Sequence, residues 1–134
     1  MLSASQSYLS QVAFDAGILE VLGRLINHHK QIVRKEVVWS LANVMADSSE
    51  RVESCLSNGI VQSLILHMQQ DVNLVRGECV WALTNALYKA NSDSVKGIID
   101  MGYFTASNYA LDLPDARLVF VALEGINHAL NAGL

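Results

Sequence analysis

The chain has 134 residues, of which 51% are hydrophobic and 16% are charged, which predicts one folded domain and excludes a disordered or collagen-like chain. Its formal net charge of −4 argues against nucleic acid as a partner, because the phosphate backbone attracts cationic surfaces. No apolar run approaches about 18 residues, so we expect no membrane-spanning helix, and two cysteines are too few for a disulfide framework.

The first part of the chain predicts two short helices followed by a long one. A short helix precedes Gly17, and a second apolar segment runs from Ile18 to Ile26. A glycine at this joint is typical of a helix that stops in the left-handed region before a sharp turn. The long helix follows, with an apolar face at helical spacing formed by Val33, Val37, Val38, Leu41, Val44 and Met45.

This arrangement returns twice along the chain. The segment Trp39–Asn43 recurs as Trp81–Asn85, 42 residues later, and a further shift of 43 takes Gly59 to Gly102. Strict alternation of apolar and polar residues is absent, so we predict an all-α protein without strands. The period is typical of HEAT and armadillo repeats. We predict one domain over residues 1–134, with three repeats of three helices at about 5–46, 47–89 and 90–132.

Both ends of this predicted solenoid lack the polar capping repeat that closes natural solenoids. We therefore expect the chain to be either a piece of a longer solenoid or a very short solenoid. Apolar faces exposed at these ends also allow the hypothesis that copies of the chain associate with one another.

The long helices share a polar pattern that predicts a binding site. Its members stand at i, i+3 and i+7, so they project from one helical face. A single tryptophan on an apolar helix is usually a core residue, but packing alone does not require matched polar neighbours in two copies. Tryptophan faces attract Lys or Arg, asparagine can donate to and accept from a peptide backbone, and a carboxylate can bind the cation. The two sets are Glu36, Trp39, Asn43 and Glu78, Trp81, Asn85.

From Gln31 to Asn85 the sequence resembles the armadillo repeats of the importin α (karyopherin α) family, whose long helices carry the same Glu-x-x-Trp-x-x-x-Asn array. The resemblance implies a right-handed superhelical solenoid that acts as an adaptor for Lys/Arg-rich nuclear localisation signals, in cytoplasm and nucleus. Importin β would bind only through regions absent from this chain.

The resemblance also implies roles for the individual side chains. Trp39 and Trp81 would bracket the basic side chains, while Asn43 and Asn85 would hold the peptide backbone. Glu36 and Glu78 would meet the cationic heads. The third repeat has Glu124 and His128 at the positions of Trp81 and Asn85, so we expect the binding slots to stop after two repeats.

Other chemistry has little support in the sequence. His28 and His29 are adjacent and point to different faces, which predicts a turn between helices instead of a metal site. Cys55 and Cys79 lie at apolar repeat positions and are predicted to be core residues. We expect no catalytic residue, metal or cofactor. The alternative function is a generic armadillo scaffold, similar to β-catenin, that binds acidic partners, since Arg34, Lys35 and Arg76 lie near the predicted site.

Overall fold

The structure, a computed structural model, describes residues 4–132, which contain nine helices and no strand. The predicted all-α fold with three repeats of three helices is confirmed, although residues 1–3 and 133–134 of the predicted domain lie outside the described residues. The helices are α1 Ala4–Asp15, α2 Ile18–Leu25, α3 Gln31–Met45, α4 Ser49–Ser57, α5 Ile60–Gln70, α6 Asn73–Lys89, α7 Ser92–Asp100, α8 Tyr103–Ala110 and α9 Ala116–Ala132.

Each repeat turns sharply at the same glycine position. Gly17, Gly59 and Gly102 have φ values of 87°, 75° and 96°, and among the described residues only these adopt positive φ. Glycine is favoured here because a side chain would be strained in the left-handed region. The three joints therefore share the left-handed glycine conformation that the sequence predicts.

The long helices stack side by side, with α6 packed between α3 and α9. Their predicted apolar faces are buried in the contacts between repeats, because each face is covered by the neighbouring helix. None of the described helices is both long enough and apolar enough to cross a membrane. Fully buried members of this core include Val38, Leu41, Met45, Val75, Leu83 and Leu87.

Two arginines 42 residues apart tie the repeats together. Arg34 Nε and Nη2 each donate to the carboxylate of Asp71, in the next repeat, at 2.9 Å. Arg76 donates to the carbonyl oxygen of Met68 at 2.8 Å and to that of Tyr109, in the next repeat, at 2.6 Å. The start of each of these long helices is thereby fixed to the second helix of the repeat that follows.

Candidate functional site

The two tryptophans of the predicted site are largely exposed. Trp39 is 54% exposed and Trp81 is 46% exposed, although Val38 and Val80 beside them are buried. The helical register produces this contrast, because Val38 and Val80 point into the stack while each tryptophan lies at its edge. Two large aromatic surfaces therefore remain available for contact on one side of the solenoid.

These tryptophans line a common cleft between α3 and α6, with a volume of about 280 Å³. Five of the six predicted site residues meet there. Glu36 does not line this cleft. It lines a neighbouring apolar depression together with Ile32 and Val37. The cleft is lined by Trp39, Ala42, Asn43, Glu78, Trp81 and Asn85.

The two asparagines of the cleft differ in their contacts. Asn85 Nδ2 donates a hydrogen bond of 3.2 Å to the carbonyl oxygen of Ala42, which links α6 to α3. Asn43 is exposed, and its side chain has no hydrogen-bond partner among the described residues. The amide of Asn43 is therefore free to donate to and accept from a ligand, while Asn85 already donates within the protein.

The charge at the cleft is predominantly acidic. Burial raises the pKa of Glu78; the positive charge of Lys35 lowers it, and the negative charge of Glu36 raises it. Lys35 Nζ lies 3.7 Å from Glu36 Oε1. Two carboxylates and one ammonium thus share the α3–α6 edge, so this edge favours an additional cation.

The third repeat continues the surface with different chemistry. Glu124 is exposed, and the His128 ring stacks on the ring of Tyr88 with a centroid separation of 4.2 Å. Tyr88 follows Trp81 by seven residues on α6, which places both on one face of that helix. Tyr88 is not among the residues of the predicted site, although its seven-residue spacing from Trp81 indicates the shared face.

A second cavity, of about 440 Å³, lies at the turn between α2 and α3. Its polar side chains pair with one another: His67 Nδ1 lies 2.7 Å from Asp71 Oδ2, and His67 Nε2 lies 3.0 Å from Asn27 Oδ1. The guanidinium of Arg34 binds the same Asp71 carboxylate. Within the described part of the chain, no group of three His, Cys, Asp or Glu residues is placed to hold a metal ion.

Comparison with known proteins identifies importin alpha subunits as relatives at low identity, although no family model matches the chain. Importin subunit alpha-1 of Caenorhabditis elegans is 23% identical over 126 residues, which cover 94% of this chain and 24% of that protein. Importin subunit alpha-4 of Arabidopsis thaliana is 28% identical over 110 residues, which cover 81% of this chain and 20% of that protein. The chain therefore spans less than a quarter of the length of these relatives.

Solved structures similar to this one establish the armadillo fold. An engineered protein superposes with a TM-score of 0.85 at 24% identity, over 93% of this chain and 51% of that chain. A designed armadillo repeat protein in complex with the peptide (KR)4 superposes with a TM-score of 0.79 at 23% identity, over 92% of this chain and 56% of that chain. Helix order and repeat stacking are thus shared with proteins of this architecture.

Proposed function

We propose that this chain, an importin-alpha-like armadillo-repeat protein, is a binding module for extended, Lys/Arg-rich peptides. The observation that carries the proposal is the cleft that the exposed Trp39 and Trp81 line together with Glu78. The proposed role is that of an adaptor, with no catalytic step.

The chemistry of the cleft suits a basic side chain. The aliphatic stem of a lysine or arginine would lie against the indole faces, and its cationic head would lie close to Glu78. A cation over an indole gains about 0.5–1 kcal/mol when exposed and about 2 kcal/mol when desolvated. Asn43 would bind the peptide backbone, because its amide offers both a donor and an acceptor.

The alternative, an acidic ligand, is less well supported by the contacts of the nearby arginines. Arg34 is paired with Asp71, and Arg76 donates to carbonyl oxygens of Met68 and Tyr109. Binding an acidic peptide through these guanidinium groups would therefore break contacts that join the repeats. A basic ligand in the cleft meets Glu78 without breaking those contacts.

We further propose that the natural ligand is a nuclear localisation signal of a cargo protein. Such signals are short basic segments, and the relatives are importin alpha subunits. The designed armadillo protein of similar fold is in complex with an alternating Lys-Arg peptide. A role in nuclear import would place this protein in cytoplasm and nucleus.

The test is a titration of a fluorescently labelled (KR)4 peptide, followed by anisotropy, against the protein and a Trp39→Ala, Trp81→Ala variant. Saturable binding that weakens by about tenfold to a hundredfold in the variant is expected, because two cation–aromatic contacts are lost. Tyr109→Ala is the matched control, since Tyr109 is 47% exposed but lies outside the cleft. Equal binding by the double variant, or tighter binding of a (DE)4 peptide, would contradict the proposal.

A further inference from the structure

Lys35 lies on the same helix as Trp39, which lines the cleft. It stands four residues before Trp39 on α3, so the two side chains lie on the same face of that helix, one turn apart. Its side chain is only 31% exposed, which is low for a lysine, and its Nζ lies 3.7 Å from Glu36 Oε1. The ammonium group is therefore held beside Glu36, one helical turn from Trp39, instead of extending freely into solvent.

The acidic groups around Lys35 come from both long helices. Glu36 lies beside it on α3, and Glu78, on α6, lines the cleft. The positive charge of Lys35 acts against burial and lowers the pKa of Glu78. The neighbouring arginines, Arg34 and Arg76, are directed to Asp71 and to backbone carbonyl oxygens.

We propose that Lys35 is a resident counter-cation that competes with the basic side chain of a peptide for Glu36 and Glu78, and so sets the selectivity of the cleft. This inference rests on the proposed function, because it assigns a specificity-determining residue to the same site. A weakly basic peptide gains little by replacing one ammonium with another. A ligand with several cations gains binding free energy when it replaces Lys35. An arginine that binds a carboxylate through two N–H groups does so as well.

Lys35→Met removes the charge while keeping an unbranched side chain, and Lys96→Met, on the exposed face of α7, controls for the change in net charge. Binding of labelled (KR)4 is expected to tighten about twofold to fivefold in Lys35→Met, as for loss of one surface ion pair, and to stay unchanged in Lys96→Met. Unchanged or weaker binding by Lys35→Met would overturn the inference. If Lys35→Met fails in this way but the Trp39→Ala, Trp81→Ala variant still loses binding, the role of Lys35 is refuted while the proposed peptide-binding function stands.

A second measurement needs no ligand. The titration of the Glu78 side-chain carboxyl can be followed by carbon-detected NMR in the unmodified protein and in Lys35→Met. Loss of the ammonium is expected to raise the pKa of Glu78 further above its ordinary value, because the positive charge of Lys35 lowers that pKa in the unmodified protein. A Glu78 midpoint that does not move would overturn the inference even if no peptide binds.

Discussion

Alanine in place of Gly125 is expected to destabilise the protein, although alanine is the better helix former. Gly125 lies within α9, and a Cβ atom added there would lie 2.5 Å from Tyr103 Oη and 2.8 Å from Thr84 Oγ1. Neither neighbour can move freely: Tyr103 is only 1% exposed, and Thr84 Oγ1 donates to the carbonyl oxygen of Val121 at 3.3 Å. The new methyl group must therefore displace buried atoms.

The size of the effect follows from three opposing contributions at Gly125. Overpacking a core costs about 1–3 kcal/mol, and weakening the Thr84 hydrogen bond adds about 1 kcal/mol. Replacing glycine by alanine within a helix recovers up to about 1 kcal/mol. The net loss is about 1–3 kcal/mol, and at about 4 °C per kcal/mol for a chain of this length the Tm falls by about 4–12 °C.

Two other helical glycines provide matched controls, measured by thermal and guanidinium unfolding followed by circular dichroism. At Gly97 nothing lies within 4 Å of the added Cβ, so Gly97→Ala is expected to gain about 0.5–1 kcal/mol. At Gly77 the nearest atom, at 2.7 Å, is a terminal methyl of the partly buried Leu118, which can rotate away, so an intermediate effect is expected. If Gly125→Ala and Gly97→Ala had the same free energy of unfolding, the prediction of overpacking at Gly125 would be wrong.

The remaining predictions concern titratable groups. Burial alone would raise the pKa of Asp71, but hydrogen bonds with Arg34 and His67 hold it below its ordinary value. Its contribution to stability is therefore present above about pH 4 and is lost as the pH falls through the lowered pKa, so Asp71→Asn should flatten the acid limb of a urea-unfolding series. Burial raises the pKa of Cys55 to about 12 and also raises that of Cys79, so neither thiol should react with a thiol reagent at pH 8 until the protein is unfolded. Rapid labelling of the folded protein would contradict this.

Much of the fold could be predicted from the sequence because its information is local and repeated. Gly59 predicts a joint from its own conformational freedom, and Val38 and Val80 predict burial from their place in a helical period. The match between Trp39 and Trp81 also predicts that both lie on the same side of the stack. These inferences need only the geometry of one helix and the displacement between repeats.

The contacts that distinguish one repeat from another could not be predicted in this way. Asn43 and Asn85 are equivalent in the pattern, yet Asn85 donates to Ala42 of α3, whereas no long helix precedes α3 among the described residues to accept from Asn43. Arg34 and Arg76 are also equivalent, but Arg34 pairs with the carboxylate of Asp71, whereas Arg76 donates to the carbonyl oxygen of Tyr109. Such differences depend on groups 33 to 43 residues away in the sequence, so the spacing within one helix does not predict them.

The cleft has one wall in the first repeat and the other in the second, since Trp39 belongs to α3 and Trp81 to α6. A ligand held between them can bind only while both repeats are folded and stacked, so it links their unfolding into a single event. The measured affinity is then reduced by the fraction of molecules in which the first repeat has detached. A bound peptide would therefore stabilise the stacking of the first repeat on the second. After its release, the first repeat could unfold without the second.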